Sequence, residues 1–392
     1  MDVGRIQMHI LHIVRGLEPE LGGPPRFVVA LTSALKRIGV DSTIFGAEPE
    51  AGDGPSIPAP DADVRLFRRG RLARYWPGHS PEMRQELGRV VGQFDAVHIH
   101  ELWHYPNYAA ARASRQNNVP YLISPLGTFA PTALSKGRLK KRLYSALVDR
   151  GLSNKAAAFH AMTDHEARDT TAGTSGVSVE IVPIGVDPAE FASMPGPEEF
   201  ERLYPEVRDK HVVLFLGRLN RIKGLGILIE GFGRAARGRD DLHLILAGPD
   251  GGYERAAREI VRAESLESKV SFTGPIYGET KLAALSRADV FALTSYGEGF
   301  SVALLEALAA SLPLVISKEC HFPEVAQSGA GLEIDLDPQE FAMALTQVFG
   351  DSSLLTKMRS NARAMATGPY SWDTVGVAFK EVYERISASP LN

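Results

Sequence analysis

Short apolar runs alternate with amphipathic stretches along almost the whole 392-residue chain, and the alternation lapses once, near the middle. In the first half the runs are MHILHIV, STIFGA, VRLF, AVHIH, YLISPL, AAFHAM and VEIVPI. Helix-like segments such as PPRFVVALTSALKRIG and PEMRQELGRVVGQF lie between them. The runs are nearly continuously apolar, as strands are when helices cover both faces of their sheet. Strand–helix alternation of this kind predicts a parallel, doubly wound sheet. Residues 187–210 break the rhythm: they are rich in Pro and Glu and hold no buried strand, so they read as a linker. The rhythm restarts with HVVLFLG, DLHLILAG, KVSFTG, DVFALTS, LPLVIS and GAGLEI. The expected fold is therefore α/β, with two tandem Rossmann-like domains over 1–187 and 188–370. A last amphipathic helix in 371–392 is expected to cross back to the first domain and steady it. Ligands of such sheets bind beyond the strand C-termini, so a cleft shared by the two domains is expected, with the linker acting as a hinge for closure.

Composition narrows the function. A formal charge of -4 excludes a general nucleic-acid binder. The single cysteine, Cys320, rules out an internal disulfide and fits a reducing compartment. The first residues do not read as a secretory signal, and the longest apolar stretch is broken by Glu306, Ser311 and Pro313, so no membrane span is expected.

Two segments carry chemistry. In YGEGFSVALLEALAASLPLVIS, residues 296–317, a strand ends near Ser295, a loop holds Gly297, Glu298 and Gly299, and a helix starts near Ser301. A helix start with unpaired N–H groups suits a phosphate. Carboxylates beside a phosphate make sense when they accept from hydroxyls, so Glu298 and Glu306 point to sugar and ribose. The alternative is a solvated loop glutamate and a helix-capping one; the apolar surroundings of Glu306 weaken it. In FLGRLNRIKGLGILIEGF, residues 215–232, Arg218 and Lys223 lie in a strand–helix turn where both can reach one diphosphate. By itself that turn is an ordinary basic surface loop.

GRLNRIKG followed by EGFSVALLEALAASLPLVIS resembles the C-terminal half of the family-four retaining glycosyltransferases, the group-one glycosyl transferases of the two-lobed GT-B fold. Their signature of two glutamates separated by seven residues falls on Glu298 and Glu306. The likeness extends to GGPPRFVVALTSALKRIGV, VPIGVD and SWDTVGVAFKEVYERI. It implies a nucleoside-diphosphate sugar donor and transfer with retention. It assigns the diphosphate to Arg218 and Lys223, the donor sugar to Glu298 and the ribose to Glu306. Gly217, Gly248, Pro275, Ile276, Gly299, Phe300 and Ser301 complete the implied donor site, and Gly22 and Gly23 face the diphosphate from the other lobe. Two positions depart from the family: Ile184 stands where Asn is frequent, and Leu126 stands where many members carry a His.

That second departure turns attention to the remaining histidines. His98, His100 and His104, with Glu101, surround a strand end; they supply enough ligands for a metal, but their spacing fits no standard zinc pattern. His100 is read as a donor-sugar or acceptor contact with a catalytic part, a buried structural histidine fitting about equally well. His160 reads the same way, and Glu166 reads as solvated. The pairs Asp61/Asp63 and Asp335/Asp337 are poorly placed for a metal, and Asp337 before Pro338 fits a helix cap. No metal and no cofactor beyond the nucleotide-sugar co-substrate are expected. Residues 65–76 and 135–150 interleave Arg and Lys with apolar and aromatic side chains, as a face on an anionic membrane does and as a solvated basic face does.

The sequence thus predicts a hexosyltransferase-type enzyme moving sugar from a nucleotide sugar to a glycan or lipid-linked acceptor in surface polysaccharide assembly. A cytoplasmic place at the inner face of the membrane follows. A sugar-nucleotide epimerase and a non-catalytic nucleotide-sugar-binding protein are the rival readings.

Overall fold

A computed structural model describes residues 7–50, 54–129, 153–174 and 176–388. The chain divides into two compact units: Met1–Ile184 with Trp372–Asn392, and Gly185–Ser371.

In the first unit every apolar run becomes a strand: β1 His9–Ile13, β2 Asp41–Ala47, β3 Asp63–Phe67, β4 Ala96–His100, β5 Tyr121–Ser124, β6 Ala158–Ala161 and β7 Val179–Ile181. All pairings are parallel, in the order β3-β2-β1-β4-β5-β6-β7. The helices α1 Gly23–Arg37, α2 Pro81–Val90, α3 Tyr105–Gln116 and α4 Asp164–Gly173 fall between strands. Alternate residues of each strand feed the two faces. Leu11, Ile13, Val97 and Ile99 pack with α2 and α3 residues such as Met83 and Ala110. Ile10, Val14 and Leu122 pack with Phe27 and Leu31 of α1. That second face also takes Trp372, Phe379 and Tyr383 of the last helix, which therefore belongs to the core of the first unit.

The second unit repeats the design with β8 His211–Leu216, β9 Leu242–Ala247, β10 Val270–Gly274, β11 Val290–Leu293, β12 Leu314–Ser317 and β13 Gly331–Ile334. The order is β10-β9-β8-β11-β12-β13, again all parallel. Its longer helices are α5 Pro197–Leu203, α6 Leu225–Ala235, α7 Glu254–Ala263, α8 Gly278–Arg287, α9 Val302–Ala309, α10 Pro338–Gly350 and α11 Ser352–Thr367; α12, Trp372–Ser387, packs on the first unit. In each sheet the strand order reverses once, between β1 and β4 and between β8 and β11, and such switch points are where ligands of open parallel sheets bind.

The linker reading of 187–210 gives way. Most of it is folded into the second unit as helical turns and α5, with Phe191, Phe200 and Val207 buried. Arg287 fastens it by donating to the carbonyls of Val207 and Lys210 and by pairing with Glu201 at 2.7 Å. Its Pro and Glu residues start and cap short helices, a use that composition does not separate from a flexible linker.

Candidate functional site

The switch point of the second sheet is built from two loops, and the one after β8 needs glycine. After β8, Gly217 donates its N–H to Ala247, and the end of β9 lies so close that a Cβ on Gly248 would stand 1.9 Å from the Gly217 carbonyl oxygen. Asn220 then accepts from the Lys223 N–H and shapes a single turn. Gly224 ends it at φ +66°, where a Cβ would lie 1.7 Å from the Thr294 carbonyl; no other residue fits there. After β11, Ser295 donates to the Ile222 carbonyl at 2.9 Å, Ser317 donates to the Ser295 carbonyl at 2.6 Å, and the Glu298 N–H donates to Glu319 at 3.1 Å. The two loops are therefore bound to each other rather than merely adjacent.

This geometry brings Lys223 and Glu298, 75 positions apart, to 2.7 Å, with the glutamate side chain only 10% exposed. Glu306, on α9, meets Lys281 of α8, also at 2.7 Å. Lys281 was not legible in the sequence: it is one lysine on an ordinary amphipathic helix. Glu190, from the stretch read as linker, lies in the field of the same pair; burial raises its carboxyl, with further upward pushes from Asp187 and Glu306. Arg218 stays exposed at the mouth of the turn. Ser301 stands at the N-cap of α9 without making a side-chain cap bond, beside the exposed Gly299. Phe300 packs against Phe322, ring centroids 5.5 Å apart. Pro275 is exposed and Ile276 buried, both past the edge strand β10. Each lysine–glutamate pair can open to a ligand bearing both charges and hydroxyls: an anion takes the ammonium and a hydroxyl donates to the carboxylate.

The first unit differs from the sequence reading in several places. Gly22 and Gly23 are exposed at the start of α1, Gly22 at φ +86°. His100 and His160 do not reach a ligand surface: they are 0% and 1% exposed and bond to neighbouring groups inside the unit. His12, in the first strand, joins His98 and His100 because β1 and β4 pair in register His12↔His98. The Nδ1 of His12 and Nε2 of His100 are 3.1 Å apart. A second chain runs from Tyr383 to His98 (2.7 Å), Ser124 (2.6 Å), His160 (2.7 Å) and the Val182 carbonyl (2.8 Å). Its direction is fixed, because a carbonyl only accepts. His160 Nε2 donates to Val182, so Ser124 donates to His160 Nδ1, His98 Nε2 donates to Ser124, and Tyr383 donates to His98 Nδ1. The relay crosses β4, β5 and β6 and ties α12 to them. Burial lowers all four histidines below their usual 6.5, to about 3 for His12 and about 4 for His160.

His12, His98 and His100 offer three nitrogens within 4.8 Å of one another. His98 already uses both of its own, which leaves a poor metal ligand. Glu166 is buried rather than solvated, and accepts from the N–H groups of Gly127 (2.6 Å) and Met162 (2.9 Å). It thereby holds the loop of Leu126, itself at φ +51°. Asp63 pairs with Arg65, Asp335 with Lys318, and Asp337 caps α10 through the Gln339 N–H. In the basic stretch 65–76, Arg69 turns inward to Glu18 and Glu50. Arg68, Arg71, Leu72, Arg74 and Tyr75 are exposed. Segment 135–150 lies outside the described residues. No helix among the described residues is long and apolar enough to cross a membrane.

Comparison with known proteins gives matches over both units. The model of the family described as glycosyl transferases group 1 matches residues 198–365, and that of the glycosyl transferase 4-like domain matches residues 22–186. A D-inositol 3-phosphate glycosyltransferase of Kineococcus radiotolerans is 26% identical, covering 98% of this chain and 95% of its own. A phosphatidyl-myo-inositol mannosyltransferase of Mycolicibacterium smegmatis is 27% identical, covering 94% and 92%. Among solved structures, Anabaena HepE in complex with UDP and glucose superposes with a TM-score of 0.73 at 18% identity, covering 96% of this chain and all of its own. WaaG, a glycosyltransferase involved in lipopolysaccharide biosynthesis, gives 0.67 at 18% identity, covering 97% and 100%.

Proposed function

The chain belongs to the group 1 glycosyl transferases, and from that premise we propose that it moves a sugar from a nucleoside-diphosphate sugar to a hydroxyl of a glycan or lipid-linked acceptor, with retention and without a metal. The carrying observation is the Lys223–Glu298 pair at the switch point of the second sheet. The donor's diphosphate draws Lys223 and Arg218 to itself, and the freed Glu298 accepts from hydroxyls of the transferred sugar. Glu306, held by Lys281, accepts from the ribose. UDP is the nucleotide to try first, because HepE was solved with it.

In the proposed step the acceptor oxygen attacks the anomeric carbon on the face from which the diphosphate leaves. The carbon–oxygen bond to phosphate breaks, and the acceptor proton passes to the departing phosphate oxygen. Glu298 forms no bond to the sugar; its charge and position favour the transition state, where positive charge develops at the ring. Arg218, Lys223 and Lys281 supply the cationic charge that a metal provides in other phosphate sites. The exposed arginines Arg68, Arg71 and Arg74, with Leu72 and Tyr75 beside them, suit an anionic membrane surface on which a lipid-linked acceptor would lie.

Calorimetry with UDP tests the site. Removing one charge-assisted contact is expected to weaken binding by about ten- to a hundredfold in Arg218→Ala and in Lys223→Ala. Unaltered UDP affinity in both variants removes the assignment.

A further inference from the structure

The switch point of the first sheet is the topological counterpart of the one just described, and it too carries charge. Arg15 follows β1, and Glu101 to His104 follow β4. The Glu101 backbone is pinned at both ends of its peptide: its N–H donates to the Ser124 carbonyl at 2.8 Å, and its own carbonyl accepts from Asn107 at 2.8 Å. These bonds hold it at φ +66°, a conformation that a glutamate seldom adopts. The effect is to aim a carboxylate from the end of the strand. The side chain is 23% exposed and stands 4.0 Å from His104 Nε2, whose ring is 19% exposed. Arg15 lies within electrostatic reach of both.

What separates this cluster from the second sheet's pairs is that its hydrogen-bonding capacity is unspent. Among the described residues, no hydrogen bond reaches the Glu101 carboxylate, and Arg15 Nε and His104 Nδ1 are buried without partners. Charged groups half out of water and lacking partners are costly to keep. Burial accordingly raises Glu101 to about 7 and lowers His104 to about 4, with the positive charge of Arg15 opposing the first shift and adding to the second. A ligand that restores those bonds must donate to a carboxylate and accept from a guanidinium. A hydroxyl does both, and a pair of neighbouring hydroxyls does so for both groups at once. An anionic ligand would meet Glu101 directly.

We propose that Arg15, Glu101 and His104 form a polyol-recognition site on the first unit, which selects the acceptor by its neutral, hydroxyl-bearing end. The proposal rests on the glycosyltransferase reading for the word acceptor, and on the cluster alone for the binding of hydroxyls. Saturation-transfer NMR on the full chain, with myo-inositol and methyl α-glucoside as probes, measures binding without turnover. Wild type is expected to show transfer to at least one probe with no nucleotide present. Glu101→Gln and Arg15→Ala are expected to weaken it by about tenfold or more. UDP affinity serves as the control and is expected to stay as in wild type, while the thermal midpoint is expected not to fall, because each substitution removes a costly unpartnered charge. Transfer that is equal in wild type and Glu101→Gln, or absent for both probes in wild type, overturns the proposal. Loss of UDP binding by wild type with probe binding intact would instead count against the nucleotide-sugar reading and leave the polyol site standing.

Discussion

The two sheets share one topology and treat their polar groups in opposite ways. In the second, charges are paired at the switch point, Lys223 with Glu298 and Lys281 with Glu306, each at 2.7 Å. Its strands are otherwise apolar apart from groups such as His243 and Ser317. In the first, the switch-point charges are left unpaired, and the polar investment lies inside the core, where four histidines, Ser124 and Tyr383 meet beneath α12. A parallel sheet tolerates either arrangement because its strand ends and its faces are separate environments. Ends stay near water, where an ion pair can exchange with a ligand. Faces do not, and polar groups there bond chiefly to one another, although His12 Nε2 and His100 Nδ1 are buried without partners.

Acid should break the first unit hardest. A histidine whose folded pKa is lowered adds stability that is complete above its unfolded value of 6.5 and lost as pH falls below it, by at most about 1.4 kcal/mol per pH unit for each group. Glu101 and Glu166 act the other way: their raised folded values relieve the unit as pH falls toward the usual 4.5. The two glutamates offset only part of the histidine trend between 6.5 and 4.5, and the loss steepens below that. In the second unit burial lowers His243 to about 4. Trp76, Trp103 and Trp372 all lie in the first unit, and Cys320 is buried in the second with its thiol pushed up to about 12 by burial. Tryptophan fluorescence is thus expected to report an acid transition at higher pH than Cys320 reactivity does. Coincident transitions would erase the comparison.

Glu298→Gln sharpens it at the second switch point. Turnover is expected to drop by about a hundredfold or more, with UDP affinity kept, whereas Glu306→Gln is expected to lose about tenfold in UDP affinity. Steady-state rates and calorimetry on both variants decide; a trapped glycosyl adduct on Glu298 would overturn the mechanism. A smaller effect is expected in the core relay, where Tyr383→Phe leaves His98 Nδ1 buried without a donor. The cost is about 1–3 kcal/mol in urea unfolding followed by tryptophan emission. The smallest concerns metal: turnover is expected to be unchanged by EDTA, and rescue of an EDTA-inhibited enzyme by magnesium or manganese would refute metal independence.

Much of this was legible in the chain. All the strands named from apolar runs are present; a strand buried on both faces must be apolar at nearly every position, which shows in a short window, while the edge strands β3 and β7 are largely not buried. Glu298, Arg218 and Lys223 stood out because the loops that carry them are marked by glycine, and Glu306 because it interrupts an apolar stretch. Lys281 and His12 carried no mark: one is a helix-surface lysine, the other sits in an apolar run. Glu166 was misread because a helix-start glutamate is usually solvated, and nothing local announces the Gly127 and Met162 N–H groups that it binds.

The sequence by itself determined the two parallel sheets, their strands and the loops where charge gathers, since periodicity and turn residues are properties of neighbours along the chain. Which charges pair, which histidines vanish into the core and which carboxylate is left without a partner were decided only by tertiary structure. Ion pairing and desolvation depend on distance and burial in space, and Lys223 and Glu298 become neighbours only when two loops 75 residues apart close on the same sheet.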